Sequence, residues 1–202
     1  VTGDNNVAIG KAALGSMTSG ANNTAVGSEV LDSLETGANN TAVGYQAMTD
    51  QTTGSDNNAF GKGALANNTT ANSNCAFGGN ALFTQTSGGT KNSAFGNSTL
   101  YSNTTGDSNV AIGDAALYTN TTGSENIAIG DYAMGANTTG ASNVAVGDGA
   151  LAANTTADNN TAVGKEALKL NTTGANNTAV GKSALDASTC LLYTSPSPRD
   201  IR

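Results

Sequence analysis

The chain has 202 residues and a net charge of −7, and it contains neither His nor Trp. Without His it can form neither a Ser-His-Asp triad nor a Cys-His pair, and it lacks the ligands of a zinc site. The acidic balance argues against a nucleic-acid partner, and no apolar run is long enough to span a membrane. We therefore expect a non-enzymatic segment with no cofactor and no part inserted into a membrane.

The composition is not typical of an ordinary globular domain. Gly accounts for 26 residues, and aromatic residues make up only 4 % of the chain. The apolar fraction is 37 %, and much of it is Ala. Any core must therefore be thin and built from small side chains.

Glycine recurs at an almost constant interval along the chain. Eleven glycines follow a 17-residue period, except for one 18-residue step between the fifth and the sixth. These repeat glycines are Gly10, Gly27, Gly44, Gly61, Gly78, Gly96, Gly113, Gly130, Gly147, Gly164 and Gly181. We attribute the longer step to one residue inserted in the loop at positions 88–91.

Other positions of the repeat hardly vary. Four residues before each repeat glycine stands Asn, two before it Ala, and one before it Val, Ile or Phe, while Leu or Met follows four residues after it. Members of the Asn column include Asn6, Asn23, Asn109, Asn126, Asn143, Asn160 and Asn177. Most copies then continue with a polar turn such as N-T-T-G at positions 171–174.

A 17-residue repeat is too short for two helices and a turn, and it does not follow a heptad pattern. It suits one coil of a parallel β-solenoid, in which each copy stacks on the last and adds a strand to a sheet. We predict an all-β repeat domain over residues 1–189, with about eleven coils that rise about 4.8 Å each.

The repeat columns predict how each coil is built. A constant glycine marks a bend with positive φ or a place without room for a Cβ, and stacked Asn amides can hydrogen-bond along the axis. We expect the Leu/Met and Val/Ile/Phe columns to fill the interior, which would leave the Ala column facing outward. The reverse assignment, with Ala inside and Val, Ile or Phe at an interface, remains open. Either way both strand faces would be buried, and we expect a homo-oligomer, specifically a trimer.

The repeat resembles that of a known adhesin family. The sequence N-V-A-I-G occurs at positions 6–10 and 109–113, and N-I-A-I-G occurs at 126–130. These segments resemble the head repeats of YadA-like trimeric autotransporter adhesins, although the period here is longer. The resemblance implies a trimer of left-handed parallel β-rolls, exposed at the cell surface on an outer-membrane anchor. As partners it implies other copies of the chain and a host-surface glycan or matrix protein.

A second resemblance leaves the biological setting open. Repeats of the form N-T-A-V-G-x-x-A-L, as at positions 177–185, are similar to those of bacteriophage tail-fibre proteins. That resemblance implies a location on the virion tail. The sequence does not choose between a bacterial adhesin and a phage fibre.

Two polar columns suggest alternative sites. Asp114, Asp131 and Asp148 directly follow three successive repeat glycines, and stacked carboxylates could share a Ca²⁺ ion. We favour a solvated acidic patch, and therefore no metal.

Regular Thr arrays on flat solenoids occur in ice-binding proteins. Two adjacent Thr columns run through the second half of the chain, at Thr104, Thr121, Thr138, Thr155 and Thr172 and at Thr105, Thr122, Thr139, Thr156 and Thr173. Adjacent Thr residues in a strand would point to opposite sides. We therefore place them in a turn, and ice binding remains an alternative function.

The last residues do not follow the repeat. Positions 190–202 hold both prolines of the chain and resemble translated sequencing adapter, so we expect a disordered tail without function. Two cysteines make no disulfide framework. Cys75 takes a position where other copies carry Val, Thr or Ser, which predicts a small strand residue. Because the chain opens with Val1 within a repeat, we expect it to be a fragment.

Overall fold

The computed structural model describes residues 3–186, and this part of the chain is all-β. Eleven strands of three residues each follow one another in the sequence, and no described residue is helical. They are β1 (Val7–Ile9), β2 (Thr24–Val26), β3 (Thr41–Val43), β4 (Asn58–Phe60), β5 (Cys75–Phe77), β6 (Ser93–Phe95), β7 (Val110–Ile112), β8 (Ile127–Ile129), β9 (Val144–Val146), β10 (Thr161–Val163) and β11 (Thr178–Val180). No helix that could cross a membrane occurs within these residues. The proposed tail at 190–202 lies outside them.

The strands form one parallel sheet in sequence order, from β1 to β11. Each strand pairs with the same three positions of the next copy, so that Ala111 lies opposite Ala128. Between β5 and β6 the register continues across the longer step, with Ala76 opposite Ala94. The predicted parallel β-solenoid is therefore confirmed, with one coil per repeat and the inserted residue absorbed outside the sheet.

The middle residue of each strand from β2 to β11 faces the interior. The Ala side chains of β2 to β11 are buried, as is the Leu/Met column from Leu14 to Leu168. Val, Ile and Phe lie on the outer side, where Ile112 is 40 % exposed. The prediction that these larger residues fill the interior is wrong, and the reverse assignment is correct. A 17-residue coil is narrow, and its Leu and amide columns leave room for only a methyl group at the strand.

Two columns of amides run through the interior. In the first, the predicted Asn column, Asn109 Oδ1 accepts hydrogen bonds from the backbone N and the Nδ2 of Asn126 at 3.0 and 3.2 Å. Its Nδ2 donates to the Gly123 carbonyl at 2.9 Å. The predicted amide ladder is confirmed, and it also satisfies backbone groups that no strand pairing reaches.

A second ladder was not predicted. The residues that begin the polar turns are buried rather than exposed, and Asn120 Nδ2 donates to Asn103 Oδ1 at 2.9 Å and to the Gly123 carbonyl at 2.9 Å. This ladder consists of Gln51, Asn68, Gln85, Asn103, Asn120, Asn137, Asn154 and Asn171. In the two coils before it, Met17 and Leu34 take the same place. Among the described residues, buried amide atoms without a partner occur at Asn160, Asn171 and Asn177, in the last coils of the stack.

The repeat glycines satisfy both conditions that the sequence suggested. Their φ angles lie between 125° and 141°, and a Cβ on Gly113 would be 2.6 Å from the carbonyl carbon of Gly130. No L-residue side chain fits where successive bends stack this closely. The glycine column therefore sets the spacing of the coils at this corner.

Candidate interaction surface

The outer side of the sheet is a continuous surface, which we call the strand face. It consists of the first and third residues of every strand from β1 to β11. The third residues are Ile9, Val26, Val43, Phe60, Phe77, Phe95, Ile112, Ile129, Val146, Val163 and Val180. Neither outward position holds Asp, Glu, Lys or Arg in any of the eleven strands. The strand face is thus an uncharged, largely apolar stripe along the whole described solenoid.

The combined volume of the two outward side chains varies little from one strand to the next. Three strands end in Phe, and their rings stack with centroids 4.5 and 5.2 Å apart. The outward residues that precede these rings are Asn58, Cys75 and Ser93, all of them smaller than Val. Where the third residue is Val or Ile, the first is Val, Ile or Thr. A surface that meets only water could carry side chains of any volume. The small residue that accompanies each Phe therefore favours a strand face that packs against a flat partner.

Cys75 lies in β5, as its place in the repeat predicted, and it is part of the strand face. It is free and only partly exposed, and burial raises the pKa of its thiol. No cation or His that could activate the thiol is in contact with it among the described residues. Its place beside Asn58 and Ser93 in the strands that end in Phe indicates a packing role.

The three aspartates of the acidic column each have their own partners. Asn97 Nδ2 donates to Asp114 Oδ1 at 3.1 Å, the backbone N of Asp114 donates to Asp131 Oδ1 at 3.1 Å, and Asp148 Oδ2 lies 3.0 Å from Lys165 Nζ. The hydrogen bond to Asp148 raises the pKa of Lys165. No three carboxylate, thiol or imidazole groups of residues 3–186 converge as a metal site. Asp114 and Asp131 are therefore linked by a hydrogen bond, while Asp148 forms an ion pair on the surface.

The two Thr columns lie in bends between the strands, where we had placed them. In the first column the hydroxyl is used within the solenoid, since Thr121 Oγ1 donates to the Thr138 carbonyl at 2.9 Å and Thr138 Oγ1 donates to the Thr155 carbonyl at 2.9 Å. Only the second column is fully exposed, with Thr122 and Thr139 as examples. One row of Thr hydroxyl groups, not two, therefore faces solvent.

Comparison with known proteins ties this fold to no relative, because no family model, no curated protein and no solved structure matches the chain.

Proposed function

We propose that the chain is a segment of a rigid surface fibre, in which three copies pack their strand faces together. In this proposal the fibre is the head of a trimeric autotransporter-type adhesin on a bacterial cell surface. It works as a spacer that holds a repeated binding surface away from the cell. Repetition of equivalent contacts along the fibre raises the strength of attachment without a single strong site.

The observation that carries this proposal is the absence of charge from the strand face. The chain has 8 basic and 15 acidic residues, yet none of them occupies an outward position of the eleven strands. Centres of protein interfaces are depleted of charge in the same way. Complete burial of a Val, Ile or Phe side chain stabilises by about 1.5–3 kcal/mol. Association would add a fraction of this at each coil, because a side chain such as Ile112 is 40 % exposed in the single chain. A face of this length therefore provides a strong driving force for association.

The two outward columns of the strand face support a closed ring of copies, and the ring that we propose is a trimer. Each strand offers two outward columns, one from its first residue and one from its third. In a closed ring, the first-residue column of one copy can pack against the third-residue column of its neighbour, so that every copy makes the same two contacts. The resemblance to the adhesin head repeats favours the same number.

The mass of the full chain in solution tests this proposal. We expect a β-rich trimer by light scattering and circular dichroism. Replacing Ile112 and Ile129 together by Lys should give monomers or unfolded protein, because unpaired charges would be buried in the interface. The matched control is Leu170→Lys, since Leu170 is 49 % exposed but lies outside the strands; it should leave the mass unchanged. A folded monomeric wild type would contradict the proposal.

Cys75 allows an independent check of which face is covered. In a Cys190→Ser background it is the only thiol of the chain, and a short bis-maleimide should link two copies through it. Moving the thiol, as Cys75→Ser with Thr122→Cys, places it on the exposed Thr column, where linking should fall sharply. Equal linking at both positions would show that the strand face is not the interface.

A phage tail fibre is an alternative with the same assembly. The N-T-A-V-G-x-x-A-L form of the repeat supports it, as at positions 177–185. Antibodies against the repeat would label virion tails in that case and cell surfaces in the case of an adhesin.

Ice binding is an alternative that needs no partner protein. The exposed Thr column supports it, because its hydroxyl groups recur once per coil from Thr105 to Thr173. A thermal-hysteresis measurement on the purified chain tests it. Activity that disappears in a variant with this column changed to Lys would favour ice binding over adhesion.

A further inference from the structure

A line of aromatic side chains runs along the solenoid outside the strands. Phe83, Tyr101 and Tyr118 stand five residues after three successive repeat glycines. Their rings stack with both centroid distances at 5.2 Å and interplanar angles of 6° and 14°. The next coil has Gly135 at this position, and the ring of Tyr132 lies against it, since a Cβ on Gly135 would be 2.7 Å from Tyr132 Cδ1. We call these four residues (Phe83, Tyr101, Tyr118 and Tyr132) the aromatic strip.

The fold does not require rings at this position. The other described copies have small or polar residues there, namely Gly15, Asp32, Thr49, Ala66, Ala152, Lys169 and Asp186. Tyr132 is 58 % exposed, and Phe83, Tyr101 and Tyr118 are half-buried. No described residue hydrogen-bonds to the three Tyr hydroxyl groups, which leaves them to solvent or to a ligand. Because parallel rings 5.2 Å apart cover each other's faces, the strip presents ring edges and free hydroxyl groups together.

The spacing of the strip selects among possible ligands. An extended peptide advances about 3.3 Å per residue, so side chains on one of its faces recur at about twice that length. Such a peptide falls out of step with rings that repeat every 5.2 Å. In an extended β-linked glycan of the cellulose or chitin type, each sugar advances the chain by nearly the ring spacing. Successive sugars can thus meet successive rings.

The chemistry of the strip also suits a sugar chain. A pyranose presents C–H groups on its faces and hydroxyl groups around its rim. The strip can contact the C–H groups with its ring edges and hydrogen-bond the rim with its Tyr hydroxyl groups. Ligand sites generally combine apolar contact with a few polar groups that fix orientation, and the Tyr residues of the strip supply both.

We propose that the aromatic strip is the binding site for an extended β-linked glycan that lies parallel to the fibre axis. This inference deepens the proposed function, on which it rests, because it names the surface component that the fibre attaches to. A trimer would carry three strips, and simultaneous contacts would add avidity to a weak single site.

Titration of the full chain with cellohexaose and chitohexaose tests the proposal, with maltohexaose as an α-linked control. The chain has no Trp and five Tyr residues, three of them in the strip, so a change in Tyr fluorescence that Tyr101→Ala with Tyr118→Ala removes reports contact with the strip; calorimetry measures the affinity. We expect a β-linked hexasaccharide to bind, and Tyr101→Ala with Tyr118→Ala to weaken it at least about tenfold. The matched control is Tyr45→Ala, because Tyr45 is 46 % exposed and lies outside the strip; it should bind as the wild type does.

The fold of the variants is checked by circular dichroism and by mass. If the double Ala variant is misfolded, Tyr132→Ala, which removes only an exposed ring, takes its place. The proposal is overturned if no β-linked hexasaccharide binds, if maltohexaose binds equally well, or if the affinity survives loss of the rings. A trimer that binds no glycan would refute the site alone, and a monomer that binds would refute the assembly alone.

Discussion

Single residues carry an unusual amount of backbone strain in this solenoid. Besides the repeat glycine, three positions of each coil have positive φ, and most of them are not Gly. One of the three is the Leu/Met column, whose φ angles lie between 49° and 55°. A left-handed conformation costs an ordinary residue about 1–2 kcal/mol. At Leu117 burial of the side chain offsets this cost, together with a 3.0 Å hydrogen bond from its backbone N to the Ala133 carbonyl. The tight coil is thus maintained by contacts with its neighbours, not by local preference.

Replacement by Ala should destabilise the protein by very different amounts at two glycines with positive φ. We expect Gly113→Ala to destabilise the fold by more than about 3 kcal/mol. Its φ is 129°, and the new Cβ would lie 2.6 Å from the Gly130 carbonyl carbon. Gly149→Ala should cost only about 1–2 kcal/mol, the cost of a left-handed residue. Its φ is 64°, and its Cβ would meet only Glu166 Cγ, at 3.6 Å.

The free energy of unfolding in urea measures both variants. Other copies already have side chains where Gly149 stands, including Tyr132 and Glu166, which makes it a matched control. Equal losses for the two variants would show that the glycine column has no special role in spacing the coils.

The element of this fold is the coil, and the 18-residue copy shows how tolerant it is. The sheet keeps its register through this copy, since Cys75 pairs with Ser93. Inside the coil, the longer side chain of Gln85 reaches the Gly89 carbonyl and also accepts a hydrogen bond from Asn103 Nδ2 at 3.3 Å. The insertion is therefore confined to the bend, and Gln85 still connects to Asn103 of the next coil.

Deleting Gly88 should stabilise the protein by up to about 1 kcal/mol, because it removes a glycine whose conformational freedom in the unfolded chain is lost on folding. The shortened coil would have Q-T-S-G-T-K-N, which matches the Q-T-T-G-S-D-N of positions 51–57. Thermal unfolding of the variant measures the change. Deleting Thr122 from a 17-residue coil is the control, and the broken ladder should cost more than about 2 kcal/mol. A Gly88 deletion as harmful as the control would contradict this account.

Over the complete solenoid, stacking gives a structure whose parts contact only their neighbours in sequence. Strand contacts occur between successive strands, from β1 to β11. Stability then grows with each added coil, but the apolar strand face extends at the same rate. A longer stack thus has more uncovered apolar surface, which association between copies removes from water.

If folding and association are coupled, the melting temperature depends on protein concentration. We expect it to rise by a few degrees for a tenfold increase in concentration, because association stabilises only the folded state. The variant with Ile112→Lys and Ile129→Lys should melt lower and lose this dependence. Calorimetric scans over a range of concentrations provide the measurement. A melting temperature that is the same at every concentration would argue against an obligate assembly.

The coil, the parallel register and the place of the insertion all follow from the sequence alone, because each depends on a period that is read directly from Gly and Asn. The first amide ladder follows in the same way, because an Asn that recurs beside every strand can hydrogen-bond to the Asn of the next coil. The sequence alone does not show which strand side chains face inward. Ala and Val alternate along each strand, and this alternation is compatible with either set facing inward. The width of the folded coil decides between them.

The second ladder and the aromatic strip also depend on the folded cross-section. Asn120 begins a segment that is typical of an exposed turn, but its amide is buried and hydrogen-bonds to Asn103, Asn137 and the Gly123 carbonyl. Phe83, Tyr101 and Tyr118 stand at one repeat position, but only stacking at 5.2 Å makes them a continuous line. A one-dimensional period establishes which residues stack, whereas the closed cross-section of the coil decides which of them meet solvent.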